Sequence, residues 1–187
     1  MRFQTKTVHV GVDKDTAYNS VVTPIYQTST FRFEEVGKTK GYDYTRTLNP
    51  TRKALEESIA ALEGGAGAKA VATGMAATMT ALHFLHAGDH IVCTNDCYGG
   101  TERILRTYAE LFNFQVTYVN MTDLQTVRTA LRPNTKALWI ETPSNPLLNI
   151  VDIEALTKIA HEHGALAFAD NTFLSPYNQH PFEFGVD

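Results

Sequence analysis

Ala165-Leu166-Ala167-Phe168-Ala169-Asp170-Asn171-Thr172 is a short apolar run, preceded by Gly164, that stops abruptly at a carboxylate. Small and apolar residues bounded by turn formers suit a strand buried on both faces, as in a parallel sheet covered by helices. Asp170 then stands at the carboxyl end of that strand, which is where open α/β sheets bind their ligands. Two readings of it stay open: a contact to a ligand, or merely the start of a turn.

Upstream of this run, apolar segments of two kinds alternate. Lys69 to Thr73 reads as a strand, Gly74 as a turn, and Met75 to about His86 as an Ala-rich helix. His90 to Thr94, Gln115 to Val119 and Lys136 to Glu141 read as further strands. Helices are expected from about Thr101 to Phe112, from a cap at Thr122 or Asp123 through Leu131, and after Asp152 with Ile153, Leu156 and Ile159 as the apolar stripe. Strands alternating with helices predict an α/β fold, layered α/β/α around a mostly parallel sheet. Right-handed crossovers would set all strand carboxyl ends on one edge, gathering Gly74, Met75, Tyr98, Asn145 and Asp170 there.

Residues 1 to about 50 lack a clean helical or alternating pattern and carry turn formers such as Pro24, Gly37 and Gly41, so they read as an amino-terminal arm, either mobile or packed on another surface, a second subunit included. Asn49-Pro50 is a helix start, because Asn caps free N–H groups and Pro loses nothing at the first helical position. Leu55, Ile59 and Leu62 recur at helical spacing until Gly64-Gly65. The expected organisation is an arm over 1–50 and a partial large domain over 51–187. After Thr172 the chain makes a loop, and Gly185-Val186-Asp187 reads as the approach to another strand, so a longer polypeptide is expected, of which this is the front part.

With 187 residues and 43% hydrophobic residues the chain can bury a sizeable core. A net charge of -4, with cations scattered, offers no basic stripe for nucleic acid or an anionic membrane. The first ten residues lack the apolar core of a signal peptide, and a cytoplasmic location is the expectation. Cys93 and Cys97 have neither zinc-ligand spacing nor a disulfide framework around them. His161 and His163 point apart on a helix, and His83 and His86 have no evident third ligand, so no metal is expected. No G-x-G-x-x-G follows the first strand, which disfavours a dinucleotide binder.

Gly74 at a strand-to-helix turn allows close backbone approach, and the unpaired N–H groups that follow suit a phosphate. Tyr98, on a glycine-flanked loop, is placed to lie on a flat ligand or deliver a phenolic proton, or simply to pack on its loop. Asn145, between two prolines, is a donor for a ring oxygen or a routine turn residue. Tyr44 and Arg46 either reach a phosphate or form a surface pair. A phosphate site, a stacking aromatic, an amide and a carboxylate together fit a flat, phosphorylated, nitrogen-containing ring whose nitrogen the acid keeps protonated, as in pyridoxal phosphate chemistry.

Tyr44-Thr45-Arg46-Thr47-Leu48-Asn49-Pro50-Thr51, Thr73-Gly74-Met75, Asp96-Cys97-Tyr98-Gly99-Gly100-Thr101, Glu141-Thr142-Pro143-Ser144-Asn145-Pro146 and Asp170-Asn171-Thr172 together resemble the pyridoxal-phosphate enzymes of cysteine and methionine metabolism, the trans-sulfuration enzymes. The resemblance implies an aspartate-aminotransferase-like (fold type I) large domain, with active sites shared between subunits of a dimer within a homotetramer. It also implies pyridoxal 5'-phosphate as cofactor and an amino acid as substrate. By the same resemblance Gly74 and Met75 hold the cofactor phosphate through backbone N–H groups, and Tyr44 and Arg46 reach that of the neighbouring subunit. Tyr98 stacks on the ring and assists proton transfer, Asn145 holds the ring hydroxyl, and Asp170 pairs with the ring nitrogen.

Among the family's reactions, Ala61 to Ala68 and Asp170 to Pro176 look most like cystathionine γ-synthases, although γ-lyases share much of this. Tyr98-Gly99-Gly100-Thr101 has glycine where methionine γ-lyases usually place a reactive cysteine. Cystathionine γ-lyase, β-lyase and homoserine-ester sulfhydrylase remain alternatives. The family's cofactor-binding lysine lies in a Ser-x-x-Lys segment past the aspartate, and none of Lys6, Lys14, Lys38, Lys40, Lys53, Lys69, Lys136 or Lys158 has that context. These residues alone are therefore expected to bind the cofactor weakly and noncovalently. A different class, a non-catalytic assembly subunit, is the competing expectation.

Overall fold

The computed structural model describes residues 1–12 and 15–187, and the chain divides into two compact units, Met1–Ala70 and Val71–Asp187. Lys14, named above among the lysines, lies outside the described residues.

In the first unit α1 spans Phe3–His9 and α2 spans Pro50–Glu63. The stretch expected to be arm therefore opens with a helix, whose Lys6 donates from Nζ to the Ala61 carbonyl at 3.0 Å. α2 starts where the sequence predicts, with Asn49 accepting from the Thr51 N–H at 2.8 Å and Pro50 at the first position. Gly64 ends it in the left-handed region at φ 76°, which a glycine enters without steric cost. The apolar stripe points outward: Leu55 and Ile59 are exposed, whereas Glu56 is buried, accepting from the Ala70 N–H at 3.1 Å and facing Arg52 at 3.5 Å.

The second unit contains α3 (Gly74–Leu82), β1 (His90–Thr94), α4 (Gly99–Phe112), β2 (Gln115–Val119), α5 (Leu124–Ala130), β3 (Thr135–Glu141), α6 (Ile153–Glu162), β4 (Leu166–Asp170), α7 (Ser175–Asn178) and a 3-10 turn over Pro181–Phe184. The sheet is parallel throughout, in the order β2-β1-β3-β4. Lys69–Thr73 forms no strand. A strand exists only beside a partner, and no described residue forms a ladder with this stretch.

Side chains alternate across the pleat and build a core on each face. Val92, Leu138, Ile140 and Ala167 point to one side, where Val127 of α5 and Leu156 and Ile159 of α6 cover them. Ile91, Cys93, Ala137 and Trp139 point to the other, under Leu82 of α3 and Leu105 of α4. This is the α/β/α layering the alternation predicts. Leu138, Ile140 and Leu156 are fully buried, and each contributes about 1.5–3 kcal/mol relative to an exposed position.

Burial on both faces holds for β1 and for β3 apart from Lys136, but not for β4, where Leu166 is exposed and Phe168 to Asp170 are half-buried. Among the described residues β4 stands at one end of the sheet, and an edge lacks cover on its open side. Asp187 lies along it, its N–H donating to the Ala167 carbonyl at 3.1 Å and its Oδ2 accepting from the Ala167 N–H at 2.9 Å. His161 Nε2 meets the same carboxylate at 2.9 Å. Burial raises the Asp187 pKa, but these two partners outweigh it and hold the acid below its ordinary value.

At the opposite end of the strands His90 is fully buried, its ring 2.7 Å from Thr135 Oγ1 and 2.8 Å from Thr117 Oγ1, so one side chain ties β1 to both neighbours. No helix among the described residues is long and apolar enough to cross a membrane.

Candidate functional site

Because all four strands run parallel, their carboxyl ends form one rim. β1 has β2 on one side and β3 on the other, so the chain leaves these two central strands in diverging directions. Such a switch point opens a crevice between the connecting loops. A cavity of about 540 Å³ occupies the rim, lined by Gly74, Met75, Tyr98, Glu141, Asn145 and Asp170, with Trp139 and Phe168 among its apolar wall.

The Gly74 side of the cavity is a helix start. Thr73 caps α3, its Oγ1 accepting from the Ala76 N–H at 3.1 Å and its carbonyl from the Ala77 N–H. The N–H groups of Gly74 and Met75, first and second in the helix, lie before the reach of intrahelical bonding. A Cβ on Gly74 would meet no heavy atom within 4 Å, so the backbone here faces open space.

Tyr98 sits immediately before α4, is 48% exposed and lines the cavity. Its backbone N–H donates to both carboxylate oxygens of Glu141, at 3.0 and 2.9 Å. The Asn145 N–H donates to Glu141 Oε1 at 2.9 Å. One buried acid therefore anchors two loops. Burial pushes the Glu141 pKa up, the two N–H groups oppose that shift, and the negative charges of Asp170 and Asp96 add to it.

A second clip lies beneath the first. Asp96 accepts from the Ser144 hydroxyl and from Asn149 Nδ2, the latter at 2.7 Å, joining the loop before α4 to the loop after β3. Gln179 Nε2 donates to the Thr142 carbonyl at 3.0 Å and to Asn171 Oδ1 at 2.9 Å, adding the end of β4 to the same lacework.

Asp170 starts a turn at the cavity rim. Its Oδ1 accepts from the Thr172 N–H at 3.1 Å and from the Thr172 hydroxyl, which is a turn, while the residue also lines the cavity. It pairs in register with Glu141 on β3, so two carboxylates flank each other. No lysine, arginine or histidine is among the residues lining the cavity.

Tyr44 and Arg46 belong to the first unit. There Arg46 Nη2 donates to the Tyr44 hydroxyl and the guanidinium lies 5.0 Å from the ring centroid. The residue that sequence reasoning passes over is Glu141. Its signal is an acid closing the apolar run Ala137–Ile140, since a carboxylate at the end of a buried strand must find donors. Two buried polar atoms on the wall, Thr101 Oγ1 and Trp139 Nε1, have no hydrogen-bond partner.

Residues 4–187 match the family model described as Cys/Met metabolism PLP-dependent enzyme. A probable cystathionine gamma-synthase of Herpetosiphon aurantiacus is 44% identical over 99% of this chain and 58% of its own length. A cystathionine beta-lyase of Bacillus subtilis is 46% identical over 98% of this chain and 47% of its own. The crystal structure of cystathionine gamma-lyase from Lactobacillus plantarum, complexed with L-serine, superposes with a TM-score of 0.95 at 45% identity, over 100% of this chain and 49% of that one. The chain thus spans about half the length of the curated relatives it matches.

Proposed function

The chain belongs to the Cys/Met metabolism family of pyridoxal-phosphate-dependent enzymes, and from that premise we propose that it forms the cofactor-binding part of a cystathionine γ-synthase-type enzyme. The reaction is γ-replacement on an activated homoserine ester with cysteine. The observation that carries the reading is the convergence of Gly74, Met75, Tyr98, Asn145 and Asp170 on one cavity.

The residues fit the cofactor in kind. Gly74 and Met75 present unpaired N–H groups at the positive end of a nine-residue helix, which suits a phosphate. Tyr98 offers a half-exposed ring for stacking and a phenol for moving a proton. Asn145 supplies an amide to a ring oxygen. Asp170 holds a proton on a ring nitrogen, its Oδ1 being fixed by Thr172. Tyr44 and Arg46 serve the phosphate of a neighbouring subunit, in a homotetramer built as a dimer of dimers in the cytoplasm. When bound, pyridoxal phosphate supplies the electron sink that makes bonds of an amino acid labile.

Relatives of similar identity bear γ-synthase, γ-lyase and β-lyase names, so substrate assays decide among these reactions. The intact native polypeptide, reconstituted with pyridoxal phosphate, is to be assayed for cystathionine formed from an O-acylhomoserine and cysteine, and for cystathionine consumed. Formation supports γ-replacement, and consumption alone moves the reading to a lyase. Absence of both, together with stable co-purification with a full-length relative, moves it to an assembly subunit.

A further inference from the structure

Glu141 lines the cavity, and both oxygens of its carboxylate are used. Oε2 accepts from the Tyr98 N–H, and Oε1 accepts from both the Tyr98 and Asn145 N–H groups. Tyr98 precedes α4 and Asn145 follows β3, so the carboxylate is a shared acceptor between loops 43 residues and 4 residues away along the chain. The residue is 4% exposed. Asp170 lies next to it in register, and Asp96 adds a further negative charge. A buried acid kept between two other acids is expensive. Its compensation is the two backbone donors, and those donors belong to the residues placed above to stack on the ring and hold its oxygen.

We infer that Glu141 is a positioning residue: by accepting from Tyr98 and Asn145 at once, it fixes the ring of one and the amide of the other relative to Asp170, and so sets how the cofactor ring sits. This rests on the function proposed above. It predicts a division between hydrogen bonding and charge, because a glutamine keeps an acceptor oxygen that can serve both N–H groups while losing the charge.

The test compares the intact polypeptide with E141A, E141Q and E141D, each checked for folding by far-ultraviolet circular dichroism. Pyridoxal phosphate affinity is measured by equilibrium dialysis, and ring orientation by the visible circular dichroism induced in the bound cofactor. E141A is expected to raise the dissociation constant about tenfold or more, as for loss of hydrogen bonds to a charged acceptor, and to diminish the induced signal per bound cofactor. E141Q is expected to restore both to within about threefold. E141D keeps the charge but shortens the reach, and should resemble E141A. If E141A does not fold, E141D and E141Q carry the comparison. Wild-type affinity and signal in E141D or E141A, or a glutamine variant as impaired as the aspartate one, overturns the role of Glu141. A wild-type polypeptide that binds no cofactor overturns the functional reading as well, and the two failures are distinguishable.

Discussion

Gly100 and the ring of Tyr98 are so close that a Cβ on the glycine would lie 2.5 Å from Tyr98 Cε1, and 2.6 Å from Met75 Sδ. The missing side chain is what lets three segments meet: the start of α3, the loop before α4 and the first turn of α4. Gly100→Ala is expected to push the Tyr98 ring and the Met75 side chain aside, lowering stability by about 1–3 kcal/mol as overpacking does. Cofactor affinity should fall with it. Urea unfolding and a pyridoxal phosphate titration check both, and unchanged values in each would mean that the neighbours shift freely.

Asp170 and Glu141 repel each other across β3 and β4. Asp170→Asn keeps an oxygen for Thr172 and removes the charge. It should therefore raise the thermal midpoint of the cofactor-free protein slightly and, on the proposed function, lower turnover of the intact polypeptide by about 100-fold or more. A variant that retained wild-type turnover would remove Asp170 from the chemistry.

His90 is held neutral. Burial lowers its pKa from 6.5 to about 4, and the Arg132 charge acts in the same direction. The unfolded chain takes up the proton first, so this histidine's contribution is complete above about pH 6.5 and is lost as pH falls towards about 4. His90→Gln removes the titration. The stability difference between wild type and variant, followed by urea unfolding, should shrink on acidification across that window and stay flat above it.

Trp139 is the sole tryptophan, 5% exposed, stacked on Phe168 at 6.0 Å and part of the cavity wall. A flat conjugated ring entering the cavity should quench its emission in a saturable way, and inorganic phosphate alone should not. Emission that is indifferent to the cofactor, when dialysis shows binding, would place the cofactor elsewhere.

The parallel sheet is legible because its strands carry apolar runs of strand length and its helices are capped by residues with short polar side chains. Asp152 accepts from the Ala155 N–H at 2.9 Å and Asp123 from the Gln125 N–H at 2.9 Å, as their positions imply. What stays hidden depends on partners that sequence spacing does not name. Lys69–Thr73 has strand-like residues but no ladder, and Leu55 and Ile59 have helical spacing but no cover among the described residues of their unit. Phe3–His9 is too short a helix for periodicity to reveal. The rim residues can be listed from the strand ends, but their tether cannot, since the demand Glu141 meets is created by a loop far away in the chain.

That distance has a consequence for how the protein reaches its working shape. The bonds that make the cavity join residues 43, 48 and 53 apart: Tyr98 to Glu141, Ser144 to Asp96 and Asn149 to Asp96. Closing such loops costs chain entropy before any of these bonds can form, and the β1–β3 ladder is what brings the ends together. The pocket is thus expected to form only after the ladder: a partly folded molecule with a paired sheet would still have nowhere to put a ligand. In a refolding experiment read by amide exchange, protection at Val92 and Leu138 should precede protection at Tyr98 and Asn145.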